Sequence, residues 1–304
     1  MSAHAGGAVE IDGPWTHRWV AANGARFHLA ECGNGPLVLF LHGFPEFWWA
    51  WRHQLPALAD LGYRAAAMDL RGYGGSDKTP RGYDPVTLAG DVAGLVRSLG
   101  HSDAVLVGHG WGGYVAWATA TLHPRQVSSL AVVGAPHPLR LRREAFRGGS
   151  QLRSAGHVVS FQTPLLPERQ LVADDGALVE RLLRRWSAPG SAFPDPEAAR
   201  RYRTAMQLWP APHCALEYYR WLVRAAFRSD GRRFVARMKQ PVTQRVLQVH
   251  GMLDPSVLPA TAEGSAEYVA GTHRWRLLDG VGHFPHEEAP DAFLKELLAW
   301  LDDA

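Results

Sequence analysis

The chain has 304 residues, 46% hydrophobic and 20% charged, with a formal net charge of +3; it is long enough for one large core and too weakly charged to point to nucleic acid as a partner, and it carries no nucleic-acid reader motif. No apolar run reaches the roughly 18–20 residues of a membrane span, which excludes stable membrane insertion by a helix. Its two cysteines, Cys32 and Cys214, form neither a disulfide framework nor a zinc signature, so a reduced, cytoplasmic setting is expected.

Lysine occurs only at Lys78, Lys239 and Lys295 among the 32 basic residues, an arginine bias that a GC-rich genome produces without functional demand. The first residues lack the charged-then-apolar pattern of a secretory leader, and residues 1–12, small and polar, are expected to be disordered. "THRWVAANGARFHLAEC" reads as two strands joined by Asn23-Gly24, a strong hairpin signal. "PLVLFLHG" (36–43) is a continuous apolar run ending in glycine, as in a strand buried on both faces. A helix over 49–61 follows, then the strand "YRAAAMDLRG" and the helix "TLAGDVAGLVRSLG", closed by Gly100. The strand "DAVLVG", a glycine turn, a helix to about His123 and the strand "VSSLAVVGAP" come next. This alternation predicts an α/β fold with a mostly parallel, doubly wound sheet.

From 138 to 240 the pattern changes to helix-like sequence rich in Arg, Trp and Pro. It resumes with the strand "RVLQVHG", a helix over 260–270, the strand "HRWRLLDG" and the helix "PDAFLKELLAWLDD". The expected organisation is a core over 13–137 and 241–304 with a helical lid over 138–240. The lid begins beyond the carboxyl end of a strand, where open α/β sheets bind ligands. Its arginine-rich start, "LRLRREAFRGGSQLR", reads as a solvated helix face, with contact to an anionic membrane surface the less favoured alternative.

Polar residues gather at the strand ends. "VLVGHGWGGYVAW" (105–117) is a strand, a glycine turn and a helix, the pattern of the nucleophile elbow, with Gly110 where the nucleophile would stand. "HGFPE" brings the backbone N–H of Phe44 near it, and Trp111 offers a second N–H for an oxyanion hole. Asp254 in "HGMLDP" and His283 in "GVGHFPHE" follow in the order acid, then histidine. His286 and Glu287 lack ligand spacing for a metal, and no metal or cofactor is expected. His42, Pro45 and Trp48 are expected at the pocket, although the Trp48, Trp49 and Trp51 cluster suits core packing equally well.

"HGFPEFWWAWRHQL", "MDLRGYGGSDKTPRGYD", "LVGHGWGG", "GAPHP", "FQTPLLPER", "ALEYYRW", "GMLDP" and "GVGHFPHEEAP" together resemble the epoxide hydrolase branch of the α/β-hydrolase superfamily, actinobacterial members included. The resemblance covers nearly the whole chain after the first dozen residues. It implies the α/β-hydrolase fold, a small apolar substrate and a reaction in which an elbow aspartate opens an epoxide as an ester that an Asp–His pair then hydrolyses. Asp254 and His283 match that pair, and Phe44 and Trp111 match the backbone donors. Tyr219 matches one lid tyrosine, with Tyr218 the register alternative, placing both at the pocket. The second lid tyrosine is replaced by His157, and the nucleophile by Gly110.

A glycine forms no ester. The chain is therefore expected to be a hydrolase in which His283, backed by Asp254, activates a water beside Gly110 or takes a substrate proton directly, or else a noncatalytic ligand-binding protein of the same fold. A laboratory knockout of an ordinary epoxide hydrolase is disfavoured by His157, because it leaves the lid substitution unexplained.

Overall fold

Asn23 and Gly24 take φ angles of 47° and 76°, the backbone of a two-residue hairpin turn. They join β1 (Thr16–Ala22) to β2 (Ala25–Cys32), with Ala22 opposite Ala25. In the computed structural model, which describes residues 7–154 and 156–303, this hairpin is the edge of an eight-stranded sheet. The other strands are β3 (Leu37–Leu41), β4 (Arg64–Met68), β5 (Ala104–His109), β6 (Val127–Val133), β7 (Arg245–Gly251) and β8 (His273–Leu278). Their order is β1-β2-β4-β3-β5-β6-β7-β8. β2 runs antiparallel to β4, and every pairing beyond it is parallel. All five residues of β3 are buried, which is why its sequence is apolar without alternation.

The connections carry α1 (Gln54–Asp60), α2 (Pro85–Ser98) and α3 (Trp111–Leu122). The single helix expected over 49–61 is split, because a tight turn at Trp48–Trp51 precedes α1. α2 starts before the apolar run in the sequence: the Asp84 side chain accepts from the N–H groups of Val86 and Thr87, and Pro85 occupies the first turn. The stretch 138–240 is helical, with α4 (Pro138–Phe146), α5 (Ser150–Ser154), α6 (Gly156–Ser160), α7 (Leu166–Trp186), α8 (Pro196–Met206), α9 (Ala211–Ala225) and α10 (Ser229–Arg237). α7 is broken at residues 173–176, where the backbone leaves helical angles. The helix expected over 260–270 is only α11 (Pro259–Glu263) followed by a tighter turn over Gly264–Tyr268. α12 (Pro285–Glu288) and α13 (Pro290–Asp302) close the chain. Among the described residues no helix is long and apolar enough to cross a membrane.

The disorder expected over 1–12 does not reach its C-terminal end. Val9 and Ile11 are buried, the Val9 carbonyl accepts from the Trp48 indole at 2.8 Å, and the Ile11 carbonyl accepts from the Trp15 indole at 2.7 Å. Two apolar side chains in an otherwise small and polar stretch are enough to pin it. Residues 1–6 lie outside the described residues.

His137 caps α4 through Nδ1, which accepts from the Leu139 N–H at 3.3 Å, and its ring stacks on Tyr268 with centroids 4.3 Å apart. Burial pulls its pKa down to about 3. The same cause pulls His157 and His286 to about 4. In the unfolded chain these rings protonate near 6.5, so over that interval the unfolded state binds more protons. Stability is therefore complete above about pH 6.5 and falls as pH drops toward 4, by about 1.4 kcal/mol per pH unit for each such histidine. Urea unfolding at pH 7 and pH 5 checks this. His137→Phe should flatten the pH dependence, and an unchanged slope would remove His137 from the account.

Candidate active site

β5 runs out at His109, and α3 begins at Trp111. Gly110 between them has φ 51° and ψ −115°, a backbone that L side chains adopt only under strain. Its N–H donates to the Val133 carbonyl at 3.0 Å, and its carbonyl accepts from the Tyr114 N–H at 2.9 Å, which fixes the turn. The flanking glycines are obligatory for a different reason. A Cβ on Gly112 would lie 2.1 Å from the Leu41 carbonyl oxygen, and one on Gly108 would lie 2.5 Å from the Gly112 oxygen. At Gly110 a Cβ would meet only the Gly43 Cα at 3.6 Å and His283 Nε2 at 3.8 Å, ordinary contact distances.

Gly110 and Gly112 should separate in stability. Gly112→Ala is expected to cost about 3 kcal/mol or more, because backbone must move. Gly110→Ala is expected to cost about 1–2 kcal/mol, for the left-handed φ alone. Denaturant unfolding of both variants measures the difference, and equal costs would contradict the packing described.

Asp254 and His283 stand in the loops beyond β7 and β8. Asp254 Oδ2 is 2.7 Å from His283 Nδ1, and its other oxygen accepts from the N–H groups of Ser256 and Val257 at 2.8 and 2.9 Å. Burial alone would raise this carboxyl, but His283 and His250 beside it hold it well below the usual carboxylate range. The His283 main chain is tied on both sides: its N–H donates to the Trp186 carbonyl at 2.8 Å, and its carbonyl is 2.9 Å from His109 Nε2. The ring is thus oriented by carboxylate and backbone together, with Nε2 directed at the space beside Gly110.

That space belongs to a cavity of about 420 Å³ bounded by Phe44, Gly110, Trp111, Tyr114, Tyr219 and His283, with residues of α4, α5, α6 and α9 around it. Neither the Phe44 nor the Trp111 backbone N–H has a hydrogen-bond acceptor among the described residues. Tyr219 lines the cavity, edge-on to Trp111 at 5.1 Å between ring centroids, and burial pushes its hydroxyl pKa up. His157 lines it too, 4.9 Å from Trp186 and 5.6 Å from Tyr219 by ring centroids, and its low pKa keeps it neutral.

Four expected pocket residues lie elsewhere. Tyr218 turns away and donates its hydroxyl to the Arg71 carbonyl at 2.7 Å, which leaves Tyr219 and not Tyr218 at the cavity. His42 is buried against the Gly43 carbonyl and the Leu70 N–H. Trp48 packs on the N-terminal segment through Val9, and Pro45 is not among the lining residues. Strand-end position alone did not distinguish side chains facing the cleft from those facing the core.

Beneath the elbow lies a group that motif reading passed over. Glu46 accepts from His109 at 2.7 Å, from His286 at 3.0 Å and from the Gly43 N–H at 3.0 Å. All three side chains are buried, and their ligand atoms lie within 4.8 Å of one another. Burial opposes ionisation, yet the two histidines hold the Glu46 carboxyl well below its ordinary range. Both carboxylate oxygens are engaged by ring nitrogens, an arrangement that suits a hydrogen-bonded brace between the "HGFPE" turn, the elbow and the His283 loop rather than a metal. His109, adjacent to Gly110, accordingly points away from the cavity, as expected of the residue before an elbow nucleophile. Tyr114 and Arg142 were also missed as lining residues. Tyr114 was legible, since it sits one helical turn after Trp111.

Residues 36–290 match the sequence profile of the alpha/beta hydrolase fold. The chain is 33% identical to Epoxide hydrolase 3 of Xenopus tropicalis over 92% of its own length and 76% of that protein. It is 31% identical to Epoxide hydrolase A of Mycobacterium tuberculosis over 94% and 97% of the two chains. Among solved structures, a Bacillus megaterium epoxide hydrolase in complex with an inhibitor superposes with TM-score 0.82 at 26% identity, covering 94% of this chain and all of the other.

Proposed function

Because the chain belongs to the alpha/beta hydrolase fold family and is epoxide hydrolase-like, we propose that it hydrolyses a small, largely apolar epoxide by direct attack of water rather than through an ester. The observation that carries this reading is the Asp254–His283 pair, 2.7 Å apart, with His283 Nε2 3.8 Å from the point where a Gly110 Cβ would stand. A side chain is missing there, but the base that would serve it is retained and aimed.

In this scheme water lies beside Gly110 and His283 Nε2 takes one of its protons. The water oxygen bonds to an epoxide carbon as that carbon's bond to the ring oxygen breaks. The ring oxygen takes a proton from the Tyr219 hydroxyl, and His283 returns its proton to Tyr219 through solvent. Asp254 stabilises the imidazolium and fixes its tautomer. The N–H groups of Phe44 and Trp111 suit a developing oxyanion and serve the same site when the substrate is an ester. The helical stretch 138–240 acts as a lid that supplies Tyr219 and His157.

The absent nucleophile itself favours a second reading, a noncatalytic ligand-binding protein of the same fold. Product analysis separates the two: incubation with a panel of terminal epoxides and short-chain esters should give diol or acid above the uncatalysed rate. Inertness across the panel would leave the binding reading.

A further inference from the structure

The rim of the cavity turns apolar side chains outward. Phe146, Leu152, Val159, Val223 and Phe227 all line the cavity, yet each is open to solvent, Phe146 and Val159 at 67% and Phe227 at 83%. They come from the end of α4, the short helices α5 and α6, and α9 with the loop just beyond it. An exposed apolar side chain standing singly is ordinary, but a group of them around one opening forms a patch, and such patches mark interaction surfaces.

The chain that carries this rim is basic and nearly free of acid. Residues 145–167 contain no Asp or Glu, and residues 218–240 contain only Asp230. The same two segments expose Arg147, Arg153, Arg228, Arg232 and Arg233. Arg147 pairs with Glu144 at 2.9 Å; the others have no ion-pair partner among the described residues. Arg228 directly follows Phe227, and Arg142 lays its guanidinium over the Phe146 ring, 4.6 Å from the centroid. An arginine beside an exposed ring can keep its head in a polar layer while the ring leaves water.

An arginine-rich helix face alone is an ordinary solvated surface; the apolar rim beside it is what calls for an occupant. A second copy set against this face would bring the same arginines together with almost no carboxylate to answer them. A small soluble ligand fills the chamber and leaves Val159 and Phe227 in water. We propose that the rim is a peripheral docking surface for an anionic lipid bilayer, with Phe146, Val159 and Phe227 entering the boundary between headgroups and acyl chains and the arginines meeting the anionic headgroups. The contact lies on the membrane and does not span it, since among the described residues no helix is long and apolar enough to cross. The cavity mouth then opens onto the bilayer. The assignment does not depend on the hydrolytic reading.

Co-sedimentation of the full chain with lipid vesicles tests it. Vesicles of phosphatidylcholine containing about a third phosphatidylglycerol should bind the protein at least about tenfold more tightly than pure phosphatidylcholine, and raising salt from about 0.1 to about 0.5 M should remove most of that preference. Replacing Arg228, Arg232 and Arg233 together by Gln should lower binding to the anionic vesicles by about tenfold or more. The pair Phe146→Ser and Phe227→Ser should weaken binding to both compositions by about tenfold. Trp209→Ser, which removes a ring 70% exposed at the far end of α9, should change nothing. Because Cys32 and Cys214 are buried, Phe227→Cys can carry a polarity-sensitive fluorophore, whose emission should shift to that of an apolar medium on adding anionic vesicles. Absence of binding to anionic vesicles, binding indifferent to the phenylalanine pair, or a label that stays in water would overturn the proposal. So would a dimer in analytical ultracentrifugation that the phenylalanine pair dissociates while vesicles go unbound, which would give the rim to a second copy. Binding of polyglutamate as tight as that of anionic vesicles, carried by the arginines alone, would point to an acidic protein instead. Should the phenylalanine pair misfold, the labelled Phe227→Cys protein decides.

Discussion

Gly110→Asp should give an enzyme that forms a covalent ester with epoxides, raising turnover by about a thousandfold or more over the wild type, in line with what a positioned nucleophile contributes elsewhere. The expectation rests on room and on what surrounds it. Beyond its own chain neighbours, a Cβ at this position would meet nothing nearer than the Gly43 Cα at 3.6 Å and His283 Nε2 at 3.8 Å. The carboxylate oxygen would attack an epoxide carbon, the ring oxygen would leave with the Tyr219 proton, and His283 would then activate water against the ester carbonyl. Oxygen labelling distinguishes the two routes. In a single turnover in ¹⁸O water the wild type should deliver labelled diol, because water attacks carbon directly. The variant should deliver unlabelled diol, because the first oxygen comes from its own carboxylate. Intact-mass detection of the ester is the second readout. An inert variant that folds and still binds the cavity ligand would show that more than the nucleophile has been lost.

His283→Ala should reduce wild-type hydrolysis by about a hundredfold to ten-thousandfold, the usual contribution of a positioned general base. Asp254→Asn should lose nearly as much while keeping the fold, since the amide can still accept from Ser256 and Val257 but carries no charge to stabilise the imidazolium. The losses should be far from additive in the double variant, because the pair acts as a unit. Rates unaffected by either substitution would remove the direct-water scheme, whatever activity the wild type shows.

The sheet was legible because inner strands such as β3 and β6 are nearly continuous apolar runs and the hairpin turn is Asn-Gly; all eight strands stand where the sequence predicts them. Less legible were features set by contacts distant in sequence. Asp84 as the cap of α2 lies just outside the periodic stretch, and Val9 gains its place only through Trp48, thirty-nine residues on. At the site, Asp254, His283, Phe44 and Trp111 could be located because each belongs to a turn motif. His42, Trp48 and Tyr218 were misplaced because such a motif locates a backbone segment but leaves open which way the side chain turns. The Glu46, His109 and His286 brace joins a turn, a strand end and a short helix that are far apart in sequence, and no spacing along the chain announces it.

Gly108 and Gly112 are held by contact with neighbouring backbone, whereas at Gly110 only the left-handed φ favours glycine. The elbow therefore works as an open socket in a fixed mount: its chemistry can change while its architecture does not. Glycine codons lie one base from those of aspartate, serine, cysteine and alanine, depending on the third position. Covalent epoxide opening, ester cleavage through an alkoxide or a thiolate, and a bare binding pocket are thus neighbouring states of one scaffold. Movement among them requires no helix to be rebuilt, only the acceptance of a strained backbone angle at a single residue.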